Sequence, residues 1–357
     1  MKTILHSEDR SDSKLYVGLD IHKKTWHGTF INGEVVSKQS FSSGTSSLIT
    51  YINRMYPNKE IEACYEAGYF GYWIQQELEE AGIQTSIVNP SDIPTTHKDK
   101  ENKTDPRDSR KLAESLKNGM LRFIYMPYQE ELEYRSLLRE RYDLVRKQTR
   151  IKNQIKAILQ FYGKLKPWEE HTFKSWSKEF INWLESLEFE TEAGSKKLQS
   201  KLEELEFYKK KIKEIEKYLE ELANTNKYKE DYYLLQSIPG IGKISAITLL
   251  FELVDINRFK LRDEYLSYIG MIPRERSSGE KRNIGGMTKR SNISLRTLFI
   301  EASWIAIKKD PELADYYNTC CQRMIKTKAI IKVANKLAAR TRRVLLSKEA
   351  YKINLNS

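Results

Sequence analysis

The sequence predicts an α/β domain, then a long helical region, then a mostly helical C-terminal domain. Three observations predict this. The first 90 residues alternate short β-rich apolar runs with helical ones. The middle repeats apolar residues at steps of three and four over long stretches. The last third is basic and carries a glycine-containing turn between apolar helical patterns. Strands alternating with helices give a mixed sheet with helices packed on it.

The elements follow in order. LYVGLDI (15–21) is a short apolar strand, followed by TWHGTFI (25–31), the pair Asn32-Gly33, and EVVSKQSF (34–41). Asn-Gly between two such runs is a strong hairpin signal. A helix is expected over SSLITYINRMY (46–56), a strand over IEACYEA (61–67), and a helix over 69–81 that stops at Gly82. QTSIVNP (84–90) reads as a further strand. The loop 91–104 is polar and charged, and a helix starts at Asp105.

Beyond residue 127 the texture changes. Leu137, Leu144, Ile151, Ile155, Ile158 and Tyr162 recur at sevens, threes and fours, and so do Leu198, Leu202, Leu205, Tyr208, Ile212, Ile215, Leu219 and Leu222. This is the pattern of a coiled coil, or equally of two antiparallel helices in one chain. The aromatic stretch 164–196 is expected to be helical at the tip. From 231, LLQSIPGIGKISAITLLFEL leads to a helix over 261–269. The polar stretch RERSSGEKRNIGGMTKRSN comes next, and two or three basic helices finish the chain. The expected domains are 1–127, 128–230 and 231–357.

Composition narrows the function classes. No run of 18 apolar residues occurs in the 357, so no membrane span is expected. The first residues, MKTILHSEDRSDSK, lack an apolar core of signal-peptide length. Cys64, Cys320 and Cys321 form no CxxC pair, which points to a reduced, cytoplasmic protein. Residues 256–357 hold 22 Lys/Arg against 9 Asp/Glu, whereas the other 255 hold 39 against 40. The whole excess of +12 therefore lies in the C-terminal segment, as expected for a nucleic-acid partner.

Four carboxylates carry the chemistry of the first domain. Asp20 ends the first apolar strand and Glu66 ends IEACYE, where an unpartnered charge is costly. In KTDPRDSRKLAESL, Asp105 and Asp108 stand three apart at a helix start. They can cap the helix and favour its positive end. They can also face one metal site, because i and i+3 share a helix face. Together the four offer oxygen ligands to Mg²⁺, and two such ions can clamp the attacking and leaving oxygens of a phosphodiester. A sugar-kinase-like fold also opens with a strand ending in aspartate, but it needs a glycine-rich phosphate turn. Ile21, His22, Lys23 and Lys24 stand there instead.

In the last domain, SIPGIGKISA (237–246) reads as a helix-hairpin-helix turn in which Gly240, Gly242 and Lys243 can hold a phosphate without reading bases. A tight turn with packing glycines is the alternative. Lys281, Arg282, Lys289, Arg290 and Arg296 are expected to contact nucleic-acid backbone. Ser277-Ser278-Gly279 is either a turn or the site of a serine nucleophile. The histidines are His6, His22, His27, His97 and His171, all outside this domain, so a Ser-His-Asp triad is not expected. Metal-bound carboxylates could activate such a serine if the domains meet.

Taken together, GLDIHK, YEAGYFG, KTDPRDSRKLA, IPGIGKISA and YIGMIPRERSSGEKRNIGGMTKRSNISLRTLFIEAS resemble the DEDD transposases of bacterial insertion sequences. That family includes the Piv-type invertases, and its members are bridge-RNA-guided recombinases. The resemblance covers the chain except around 165–225. It implies a RuvC-like (ribonuclease-H-like) N-terminal domain with Asp20, Glu66, Asp105 and Asp108 as the tetrad, a coiled coil, and a C-terminal transposase domain. It implies a nucleophilic serine directly before glycine, which maps to Ser278, with Ser277 as the neighbouring alternative. It further implies a covalent phosphoserine link to DNA, strand exchange, and a noncoding RNA that pairs with donor and target DNA. Ser109 and Ser291 depart from the family pattern, at positions given no functional role. Strand exchange on two DNA partners implies a homo-oligomer, a dimer or tetramer. Two rivals stand beside this reading: a structure-specific nuclease using water, and a non-enzymatic nucleic-acid scaffold.

Overall fold

The computed structural model describes residues 14–93, 105–164, 174–278, 281–287 and 291–353, with the side chains of 105–106 and 274–287 left aside. The chain divides into two compact units, Met1–Met126 and Pro127–Ser357.

The first unit is built on a five-stranded sheet. β1 (Lys14–Ile21), β2 (Thr25–Asn32) and β3 (Val35–Ser42) form an antiparallel meander. β4 (Glu60–Glu66) and β5 (Gln84–Val88) add in parallel on the other side of β1, giving the order β3-β2-β1-β4-β5. In the hairpin, Asn32 pairs with Val35, so Gly33 and Glu34 make the turn. Gly33 takes φ +61°, which suits glycine. Leu15, Val17, Leu19, Ile61, Ala63 and Tyr65 share a core with α1 (Thr45–Met55) and α2 (Trp73–Glu80). Period-two alternation sends Tyr16, Gly18 and Asp20 to the opposite face. There α3 (Asp105–Lys117) packs, with Leu112 and Leu116 against Cys64, Val88 and Ile93.

The helix expected over 69–81 begins only at Trp73. Gly71 adopts φ +71°, which breaks the helical path, and Gly82 terminates the element at φ +80°.

In the second unit, α4 (Gln129–Phe161) and α6 (Glu192–Ala223) pair antiparallel. Arg141 meets Glu216 at 2.6 Å near one end. Ile151, Ile155 and Leu159 meet Leu198, Leu202 and Leu205 near the other. The apolar seam is thus used within the chain. At the tip, α5 (Lys178–Glu185) inserts Phe180 and Leu184 into that same cluster. The aromatic stretch thus contains α5 and the first turn of α6, and its residues 165–173 lie outside the described residues.

α7 (Lys229–Gln236), α8 (Lys243–Leu253), α9 (Arg262–Ile269), α10 (Ile293–Lys309), α11 (Pro311–Cys321) and α12 (Lys326–Ser347) surround a second core, with α8 almost wholly buried. The polar stretch that showed no regular pattern in the sequence contains a two-stranded antiparallel ribbon, β6 (Pro273–Ser278) and β7 (Lys281–Met287).

A buried carboxylate ties α4 to this core. Glu252 is 1% exposed. It accepts from Arg139 at 2.8 and 2.9 Å and from Asn292 Nδ2 at 2.7 Å. Asn292 caps α10, its backbone N–H donates to the Tyr268 carbonyl at 2.9 Å, and the Tyr268 hydroxyl donates to the Glu252 carbonyl at 3.0 Å. A buried charge persists only when paired and hydrogen-bonded in this way.

Candidate active site

In the first unit, β1 and β4 run parallel with Leu19 opposite Tyr65, so the next residues, Asp20 and Glu66, come side by side at the carboxyl ends of adjacent strands. Both lie on the α3 face by strand parity. The approach of α3 is set by Gly18. A Cβ there would stand 2.2 Å from the Ser109 carbonyl oxygen and 2.4 Å from the Ala113 nitrogen. Only glycine admits the helix this close. Ser109, 1% exposed, also bonds Thr29 Oγ1 through its hydroxyl at 2.9 Å, locking α3 to β2. With Ser109, Leu112 and Leu116 against the sheet, the preceding residue, Asp108, stands half-buried beside the strand ends.

The result is a pocket of about 440 Å³ lined by Asp20, Glu66 and Asp108 together with His22, Ala67, Gly68, Tyr69 and Phe70. Asp20 Oδ2 lies 3.1 Å from His22 Nε2. Beneath it, burial, reinforced by the negative charge of Glu66, pushes the Cys64 thiol up to about 12, so it stays protonated and inert. Tyr69 is 80% exposed and its ring lies 4.2 Å from that of Phe70. These two aromatics and His22 had no role in the sequence reading. Their signal was the loop after Glu66, which looked like helix.

Asp105 is the first residue of α3, one turn before Asp108, and its side chain lies outside the described set. Among the described residues no three His, Cys, Asp or Glu side chains are gathered tightly enough to enclose a metal ion by themselves. The donors that line the pocket are nevertheless three carboxylates beside the His22 imidazole, with no thiolate. That set suits a hard cation such as Mg²⁺, which keeps several waters and takes one or two carboxylates.

The other expected residues belong to the second unit. Gly240 has φ +88°, and a Cβ on it would meet the Ala302 carbonyl oxygen at 2.2 Å, so the turn SIPGIG packs tightly on α10. Nothing lies within 4 Å of where a Gly242 side chain would stand. Lys243, at the start of α8, ion-pairs with Glu220, which raises the pKa of its ammonium. Ser278 is the last residue of β6 and pairs with Lys281, while Arg282 pairs with Ser277. Lys289 and Arg290 lie outside the described residues. Arg296 is half-buried, bonded to Ser291 Oγ and lying over Gly270. Ser291, a departure from the family pattern, is therefore an anchor for that arginine.

Residues 232–318 match the profile described as "Transposase IS116/IS110/IS902 family", and residues 17–164 match the DEDD transposase profile of IS110. These two matches support an IS110/IS116 family transposase with a DEDD domain. The DEDD profile spans the strands and helix that carry Asp20, Glu66, Asp105 and Asp108. Among curated relatives, this transposase is 27% identical to the transposase of insertion sequence element IS1111A of Coxiella burnetii, over 82% of this chain and 78% of that one. It is 28% identical to the transposase of IS1533 of Leptospira borgpetersenii, over 69% and 71%. A Sinorhizobium fredii protein provisionally named transposase y4qE is 30% identical over 68% of this chain, which spans 57% of its length. As a family transposase the protein is a DNA-processing enzyme, and its five-stranded mixed sheet is consistent with a RuvC-like DEDD fold. No described helix is long and apolar enough to cross a membrane.

Proposed function

We propose that this transposase cuts and rejoins DNA strands of its insertion sequence through a phosphoserine intermediate at Ser278, assisted by the carboxylates Asp20, Glu66, Asp105 and Asp108. The observation that carries it is the convergence of Asp20, Glu66 and Asp108 on one pocket at the strand ends. Bound there, Mg²⁺ would supply positive charge against the phosphate and favour an ionised hydroxyl nucleophile. The chain's own residues do the rest. His22 orients the Asp20 carboxylate through their 3.1 Å contact. Tyr69 and Phe70 offer aromatic faces to an unstacked base at the rim. The Ser278 oxygen bonds to phosphorus as one strand oxygen leaves and takes a proton. The phosphodiester energy is retained, so the released hydroxyl can attack in the next exchange.

In this reading a noncoding RNA of the element pairs with donor and target DNA, and base pairing selects the sites. Two cut duplexes require several active sites, so the working form is a homo-oligomer. The functional division follows 1–127 for the carboxylates, 128–230 for the helical insert and 231–357 for the serine. Gly242, Lys243, Lys281, Arg282, Lys289 and Arg290 contact backbone phosphates. Gly240 and Arg296 support that surface through packing. Trapping a covalent protein–DNA adduct tests the proposal. Cleavage without an adduct would favour water as nucleophile, and neither cleavage nor adduct would favour a binding scaffold. Sequencing RNA that copurifies with the protein tests the guide.

A further inference from the structure

The helix pair is charged in a way its packing does not require. From Leu144 to Lys164 the chain holds Arg146, Lys147, Arg150, Lys152, Lys156 and Lys164 and no acidic residue. The first half of the same helix, Gln129 to Asp143, holds five acids against three cations. The partner helix behaves ordinarily: Lys196, Lys201, Lys209 and Lys211 each pair with a glutamate three or four residues away. That is the pattern of a solvated helix surface. The far half of α4 lacks such acids. Like charge also meets it from the partner helix: the Lys152 ammonium is held below its usual range by burial and then by Lys209 of α6. The apolar seam is filled by α6 and α5, so the outward face of α4 is not needed for the fold.

We infer that the outward face of α4 beyond Leu144, centred on Arg146, Lys147 and Arg150, is a docking surface for the phosphate backbone of duplex DNA. All three are exposed. Charge complementarity selects a polyanion, and DNA is the polyanion a transposase handles. The 18 residues from Leu144 to Phe161 span about 27 Å. That is the length of about eight base steps of duplex. The surface is remote in sequence from the carboxylates and the serine. It would hold DNA flanking the reaction, contributing affinity without sequence choice.

The test uses the full-length protein carrying Arg146→Gln, Lys147→Gln and Arg150→Gln together. Among the described residues these exposed side chains make surface pairs, Arg146 with Asp143 and Lys147 with Glu140, so the fold should tolerate the change. Binding of a fluorescein-labelled random-sequence duplex is measured against salt. The slope of log affinity on log salt should fall in magnitude by about two to three, with at least a tenfold loss of affinity near 0.1 M salt. A companion carrying Arg146→Lys and Arg150→Lys keeps the charge and should keep the slope. Lys217→Gln, on the acidic half of the pair, should also leave it unchanged. An unaltered slope in the triple variant would overturn the inference. So would a loss confined to single-stranded RNA of the same length, which would assign the face to RNA. A change in oligomer size by light scattering with the DNA slope intact would assign it to protein contact and likewise overturn it.

Discussion

The Ser109 carbonyl oxygen occupies the space where a side chain on Gly18 would begin, 2.2 Å from an ideal Cβ. This contact fixes how closely α3 lies on β1, and so where Asp108 stands relative to Asp20. Gly18→Ala should push the helix outward. Overpacking of this kind costs about 1–3 kcal/mol. Activity should fall further than that loss of stability explains, because Asp108 moves with the helix. Comparing the thermal midpoint with recombination below it separates the two effects; activity in step with the folded fraction would remove the positioning role.

Asp20→Ala, Glu66→Ala, Asp105→Ala and Asp108→Ala should each abolish recombination in a folded protein. A helix-capping aspartate alone would cost about 1 kcal/mol on truncation and leave the chemistry intact. Circular dichroism together with a recombination assay in Mg²⁺ distinguishes these outcomes. Full activity in Asp108→Ala would withdraw it from the site.

Glu252 predicts a stability effect instead. Arg139 supplies two of its hydrogen bonds, and Asn292 a third. Arg139→Ala leaves the buried carboxylate with Asn292 and the more distant Arg135, 3.8 Å away, at a cost of about 1–3 kcal/mol. Replacing an exposed arginine such as Arg150 should cost under about 0.5 kcal/mol. Urea denaturation of the two variants reads the contrast directly.

Cys64 gives a pH dependence. Its thiol has an ordinary value of 9.0 and is pushed up to about 12 in the folded chain by burial, with Glu66 adding to the effect. The folded state keeps a proton that the unfolded state releases above pH 9. Stability therefore declines as pH rises through that window, and Cys64→Ser or Cys64→Ala should flatten the decline. In the native protein near pH 8, a thiol reagent should label the partly exposed Cys320 and Cys321 first and Cys64 only on unfolding. Rapid labelling of all three would contradict the burial argument.

Much of this arrangement was legible in the residues, for reasons that can be named. Strand ends at Asp20 and Glu66 were visible because a charge closing an apolar run breaks its pattern. Steps of three and four exposed the helix pair, though not whether its partner lay in the same chain. What escaped depended on contacts distant in sequence. Gly18 looked like any strand glycine until α3 was seen against it. Ser109 appeared to be a neutral departure from the family pattern, yet its hydroxyl joins α3 to Thr29. Residues 69–72 read as the start of a helix running to Ala81, but Gly71 at φ +71° interrupts that path and leaves Tyr69 at the pocket rim. The β6–β7 ribbon carries no apolar alternation, so its pairing left no period to read.

The last prediction concerns Ser278. A serine hydroxyl is a weak nucleophile near neutral pH and needs activation by a base or metal. Residues 231–357 contain no histidine, and the carboxylates of the DEDD set belong to the first unit. Ser278 closes β6 opposite Lys281, whereas Ser277 lies one residue further from the end, opposite Arg282. Ser278→Ala should therefore remove both the covalent adduct and recombination while leaving DNA binding and its salt slope unchanged. Ser277→Ala should keep the adduct at reduced yield. Proteinase digestion of the trapped complex, followed by mass spectrometry of the nucleotide-bearing peptide, identifies the linked residue. An adduct retained in Ser278→Ala and lost in Ser277→Ala would move the nucleophile by one position. An adduct retained in both would end the serine mechanism, because no hydroxyl at the tip of this ribbon could then be the attacking group.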